Sequence, residues 1–156
     1  MNELNERRRL WLGTGLVLLQ FGLLLVLVLL ALPVAEDGAI PLAAWAAALG
    51  AVLLIGWTFR VNRPGNFNIH PKPRAGGTLI TSGPYGWIRH PMYTAVLLGA
   101  WALAWTAASD EAWLAWWALS LVLWAKSMLE ERWMLAQYSG YAHYREQTKR
   151  FIPWIY

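Results

Sequence analysis

The sequence predicts an all-α membrane protein with about four transmembrane helices, and three observations carry that prediction. Hydrophobic residues fill 58% of the 156 positions and charged residues only 14%, too few to cover a soluble domain of this size. Apolar stretches of about the 20 residues that a spanning helix needs recur along the chain. All 13 Lys and Arg fall in the N-terminus, in the Arg60 to Arg89 region, or from Lys126 onward.

The first stretch, 10–32, follows Arg7, Arg8 and Arg9 and contains Gln20 as its only strongly polar member. It is longer than a signal-peptide core and no small-x-small cleavage site follows, so it reads as a retained span. Pro33 to Pro41, with Glu36, Asp37 and Gly38, reads as a polar turn. The second span, 42–59, ends at Arg60. Between Asn62 and Pro91 lies a loop of roughly 30 residues, rich in Pro and Gly, and loops of that length in small proteins are more often functional than idle. The third span is 92–108. Ser109, Asp110 and Glu111 form a tight link in which Ser109 or Asp110 can cap the fourth helix, 112–135. Residues 1–156 thus make a single domain.

Charge sets the expected orientation. The two short loops carry only acids, Glu36, Asp37, Asp110 and Glu111, so the positive-inside rule places both termini and the long loop in the cytoplasm. The net charge of +4 calls for no nucleic-acid partner, because basic residues beside spans meet anionic lipid headgroups. The long loop, the end of the fourth helix and the C-terminal segment then share one face.

Cysteine is absent, which excludes disulfides, thiolate catalysis and Cys-ligated metals. His70, His90 and His143 lack the i, i+4 spacing of a zinc helix, so no metal site is expected. Lys126 and Glu130 share a helix face, and the plain reading is an interfacial ion pair. Glu130 and Glu131 together oppose the helix dipole, a cost that a bound cation offsets. His90-Pro91 and Gly83-Pro84 have ordinary structural readings as a helix start and a turn. Most of the twelve Trp read as interface belt or helix packing. Gly13, Gly15 and Gly22 allow close helix contact and leave the oligomeric state open.

One ordered set of motifs says more than its members. Asn66-Phe67-Asn68, the run from Gly77 to Tyr93 that ends in Arg89-His90-Pro91-Met92-Tyr93, Glu130-Glu131, Tyr141-x-x-Tyr144, and Arg150 to Pro153 occur in that sequence. The combination resembles the isoprenylcysteine carboxyl methyltransferase family and its relatives the phospholipid N-methyltransferases, in a prokaryotic-type form. The resemblance implies an integral membrane methyltransferase of the prokaryotic inner membrane. It implies S-adenosylmethionine as cofactor and S-adenosylhomocysteine as product, in a cytoplasmic pocket formed by the central loop and the C-terminal segment. By resemblance, His70, Gly77, Thr78, Leu79, Ile80, Tyr85, His90, Pro91, Met92, Tyr93, Glu130 and Glu131 bind the cofactor. Arg89, His90 and Glu130 are the residues nearest the chemistry. Lys126, where relatives usually carry Arg, and Tyr144 bind substrate.

The implied partners are the bilayer and a lipophilic or membrane-accessible acceptor whose reacting group is a carboxylate, thiol or amine. Methyl transfer is an in-line displacement, so alignment and exclusion of water are its main requirements. Two alternatives stand beside it: a nicotinamide-dependent reductase built on the related sterol reductase core, and a non-catalytic membrane protein retaining the fold.

Overall fold

In the computed structural model, residues 3–63, 65, 66, 72 and 76–155 are described. Among these described residues five α-helices follow one another: α1 (Glu3–Glu36), α2 (Leu42–Val61), α3 (Pro91–Ala107), α4 (Asp110–Gln137) and the short α5 (Tyr141–Gln147). A 3₁₀ turn at Gly83–Gly86 interrupts the long loop. Among the described residues the only β pairing is an isolated parallel bridge between Ile88 and Lys149.

The helix ends follow local chemistry. Ser109 Oγ accepts from Ala112 N at 3.2 Å, and Asp110 and Glu111 occupy the first turn of α4, where the dipole favours acids. Pro91 opens α3, at a position where a missing N–H costs nothing. The turn expected from Pro33 starts later. Helix α1 runs through Pro33 to Glu36 and stops where Gly38, at φ +74°, lets the chain fold back on the last carbonyls. The missing N–H of Pro33 removes one bond within α1, and the helix still continues to Glu36. Helix α5 lies in a segment with too few apolar residues to signal a helix by periodicity.

Helices α1, α2 and α4 are long and apolar enough to cross a membrane; α3, at 17 residues, is shorter. Helix α3 is the centre of the bundle, packing against α1, α2 and α4, while α1 also packs along α4. The consecutive helices α1 and α2 scarcely touch. Small side chains let the axes approach: Ala100, Ala104, Ala112 and Ala115 surround Leu27, Leu119 and Leu123 in the core. Outward-facing Leu18, Leu25, Leu53 and Leu121 are exposed, as a lipid-facing surface requires. At the α3–α4 end, Trp101, Trp105, Trp113, Trp116 and Trp117 form a continuous series of ring contacts.

The loop is anchored on α2 through the 3₁₀ turn. Gly83 has φ +60°, and a Cβ there would lie 2.7 Å from Val61 Cγ2. Gly83→Ala therefore combines a left-handed backbone cost of about 1–2 kcal/mol with a clash. Its thermal unfolding in detergent should fall clearly below that of Gly140→Ala, whose added Cβ meets nothing within 4 Å.

Candidate functional site

The end of α4 meets the long loop and the C-terminal segment through one carboxylate. Glu131 Oε1 accepts from Arg89 Nε at 2.9 Å and from Arg150 Nε at 3.2 Å, and its Oε2 accepts from Arg150 at 3.2 Å. His90 Nε2 lies 3.2 Å from the same Oε1. Arg89 also donates to the carbonyls of Thr148 and, at 3.2 Å, Arg145. Backbone bonds run alongside: Arg89 N to Lys149 O at 2.8 Å, His90 N to Arg150 O at 3.1 Å, and Lys149 N to Trp87 O at 3.1 Å. Thr94 Oγ1 adds a bond to Phe151 O at 2.8 Å. Glu131 is 4% exposed, and such burial of a carboxylate is tolerable only with this many donors.

Beside this cluster a cavity of about 370 Å³ runs into the bundle, within the usual size of small-molecule sites. Thr78, Leu79, Ile80, Tyr85, Arg89, His90, Pro91, Met92, Tyr93, Lys126, Glu130 and Tyr144 all line it. Glu131 does not; its neighbour Glu130 does. One residue of helix is a rotation of about 100°, so adjacent carboxylates point to different surroundings. Glu130 Oε2 accepts from Tyr93 OH at 2.7 Å and lies 3.7 Å from His90 Nδ1. The imidazole stacks on the Tyr93 ring at 5.2 Å with 4° between planes. His90 thus presents one nitrogen to each carboxylate.

The opposite wall is a relay of amides. Asn62 Nδ2 donates to Tyr85 OH at 2.9 Å, and Asn66 Nδ2 donates to Asn62 Oδ1 at 2.8 Å. Asn66 also bonds Thr78 through both its backbone O (2.9 Å) and its backbone N (2.7 Å), fixing the strip that carries Leu79 and Ile80. Tyr144 OH donates to Tyr85 O at 2.8 Å. Burial raises the Tyr85, Tyr141 and Tyr144 phenols above their ordinary range, so they act as neutral donors at any physiological pH.

One expectation is corrected here. Lys126 does not form the anticipated ion pair with Glu130; it is 2% exposed and its Nζ donates to Gln20 Oε1 of α1 at 2.8 Å. Its ammonium also sits 5.1 Å from the centre of the Tyr93 ring. Arg89 reaches the cavity wall, yet its Nε and one terminal nitrogen are engaged with Glu131 and the two carbonyls. Gly77 adjoins Thr78 without lining the cavity, and His70 lies outside the described residues. Gln20, Asn62, Asn66, Met134, Tyr138 and Tyr141 line the cavity without having been singled out as site residues. Gln20 had a signal as the lone strong polar group of its span; Asn62 and Asn66, past the end of α2, had no periodicity to mark them.

The donor set fits S-adenosylmethionine. Glu130 is a carboxylate facing a cavity whose remaining wall mixes phenols, amides and apolar side chains, suited to an ammonium, hydroxyls and an aromatic base. Among the described residues no cluster of His, Asp and Glu could hold a metal ion.

The two carboxylates should separate in experiment. Glu131→Gln removes the shared anion from Arg89, His90 and Arg150 and is expected to cost about 3–5 kcal/mol of stability. Thermal unfolding followed by circular dichroism should show a large drop for Glu131→Gln and a small one for Glu130→Gln; equal drops would refute the division of roles.

The chain is 35% identical over 82 residues to the cobalt-zinc-cadmium resistance protein CzcN of Cupriavidus metallidurans, a match covering 51% of this chain. That match spans only 38% of the length of the curated relative. No solved structure matches. The profile of phospholipid methyltransferases matches residues 42–140, from the start of α2 to the turn before α5. With that match over more than half its length, the chain belongs to the phospholipid methyltransferase family.

Proposed function

We propose that the protein transfers a methyl group from S-adenosylmethionine to a lipophilic or membrane-accessible acceptor at the cavity between α3, α4 and the long loop. The observation that carries the reading is Glu130: a carboxylate aimed into a cavity, held by Tyr93, within the region matched by the methyltransferase family. When bound, the cofactor supplies an electrophilic methyl on a sulfonium.

In this reading α3 is a fourth span. At 1.5 Å per residue it covers about 26 Å, close to the hydrocarbon thickness of about 30 Å. Both termini and the long loop lie on the cytoplasmic side of an inner membrane. That side is also where Arg9, on α1, and Lys72, on the loop, flank the Trp133 ring at 5.6 and 5.2 Å.

Each residue then has a task. Glu130 pairs with the cofactor ammonium, and Tyr93 holds its carboxylate in place. Thr78, Leu79, Ile80, Tyr85 and Met92 enclose the nucleoside. Arg89 is a positioning residue, tying His90 and the C-terminal segment to Glu131. Tyr138, Tyr141 and Tyr144 close the cavity on its polar side, keeping water from the reacting groups. Lys126 keeps N–H donors beyond the one spent on Gln20 and offers them to the acceptor. A carboxylate or thiolate acceptor needs no base, whereas an amine must lose a proton, which His90 Nδ1 or Glu130 Oε2 can take.

Calorimetric titration of S-adenosylhomocysteine into detergent-purified protein tests the reading. Binding is expected in the wild type and about 10–100-fold weaker in Glu130→Gln, because a charge-assisted contact in a partly buried site is lost. Trp45→Leu, at the other end of the bundle, should leave the affinity unchanged. Folded wild-type protein that binds no S-adenosylhomocysteine would overturn the proposal. Equal affinity in Glu130→Gln would move the ammonium to another group.

A further inference from the structure

The C-terminal segment continues beyond the contacts that tie it to the cavity wall. It runs parallel to the end of the long loop: Ile88 bridges Lys149, His90 N donates to Arg150 O at 3.1 Å, and Thr94 Oγ1 donates to Phe151 O at 2.8 Å. Residues 88–94 lead into α3, so the segment travels the same way and Phe151 already lies beside the first turn of that helix. Phe151 is buried, with its ring 5.8 Å from that of His90. Residues 152–155 follow at once, and they leave the packed interior at the level where α3 begins.

These residues are apolar and uncovered. Ile152 is 50% exposed, Trp154 83% and Ile155 77%. They form a turn closed by Ile155 N to Ile152 O at 3.3 Å, with Pro153 and Trp154 at its centre. Trp154 has φ +63°, the left-handed region that Gly or Asn ordinarily takes at the third position of such a turn. A bulky indole is thus kept, against a backbone preference, where the protein itself does not cover it. The exposed charges just before the turn are Arg145, Glu146 and Lys149, a basic balance. An apolar tip carrying Trp beside basic residues is the composition of an element that lies at a membrane surface.

The neighbouring surface has the same character. Trp87, whose carbonyl accepts from Lys149 N at 3.1 Å, is 53% exposed, and its ring meets the exposed Trp57 of α2 at 5.4 Å. The apolar turn therefore adjoins aromatic residues at the same end of the bundle, continuous with the lipid-facing sides of the helices.

We propose that residues 152–155 form an interfacial foot: Ile152, Trp154 and Ile155 insert into the headgroup–acyl boundary of the leaflet on the cavity side, and Arg145 and Lys149 meet anionic headgroups. The same segment carries Arg150 to Glu131 and Phe151 to His90, so the bilayer holds this wall of the cavity from outside. The inference rests on α3 being a span, not on the chemistry at the cavity.

The chain has no cysteine, so a single substitution gives a unique attachment point for a nitroxide. Ile155→Cys and Ile152→Cys are labelled separately in nanodiscs of phosphatidylcholine and phosphatidylglycerol, and relaxation by oxygen is compared with relaxation by a water-soluble nickel chelate. Leu121→Cys, on the exposed side of α4, is the bilayer reference, and His143→Cys, on the exposed side of α5, the aqueous one. Both foot positions should favour oxygen over nickel and report a depth of about 5–10 Å below the headgroups. All four side chains replaced are exposed, and thermal unfolding close to that of the wild type shows that each variant is folded. Either foot variant decides the matter alone. Nickel access equal to that at His143→Cys would place the turn in water and overturn the proposal. Exclusion of both relaxants would also overturn it, because the turn would then be covered by protein, such as a second copy of the chain. Nickel access at Leu121→Cys would instead strike the assignment of the spans, and the foot with it.

Discussion

A carboxylate buried in a low-dielectric interior is unfavourable, because it loses its water. Glu131 is such a group, and the structure around it is organised to offset the cost. Arg89 and His90 come from the long loop and Arg150 from the C-terminal segment, so one side chain joins three parts of the chain that are distant in sequence. Because Arg89 also donates to carbonyls of the C-terminal segment, that segment is held against the loop by both charge and backbone bonding. Without the anion, Arg89, His90 and Arg150 would lose the partner they share. Arg89 and His90, which the cluster holds in place, form part of the cavity wall.

Glu130 has the freedom that Glu131 lacks. With the cationic groups satisfied by Glu131, the neighbouring carboxylate faces the cavity with Tyr93 as its hydrogen-bond donor and His90 close by. One of the two carboxylates is buried in ion pairs and the next faces the cavity, and helix geometry alone makes that possible. The hollow at one end of the bundle carries polar side chains among its apolar ones, whereas the hollow at the other end is almost wholly apolar.

Much of the site could be read along the chain. Thr78 to Ile80, Tyr85 and the segment from Arg89 to Tyr93 form one nearly continuous wall, so their proximity follows from chain connectivity. Glu130 and Lys126 share a helix face and do both face the cavity. What could not be read was partner choice. Lys126 meets Gln20 rather than Glu130 because α1 packs along α4 and brings an amide to within 2.8 Å. Glu131 was grouped with the cofactor ligands because nothing local distinguishes it from Glu130; only the arrival of Arg89, His90 and Arg150 does.

By itself the sequence determined the order and hydrophobicity of the four long helices, the hairpin with its Ser109 cap, and the gathering of basic residues into alternate segments. These are local properties, set by apolar run length, capping chemistry and charge. The tertiary structure decided where α1 ends, that the C-terminal segment coils into α5, which of two adjacent carboxylates is buried in ion pairs, and that α1 and α2 part. Those outcomes depend on which surfaces meet across long sequence separations. There, burial of a charge or the size of a side chain at a contact outweighs any preference of the individual residue.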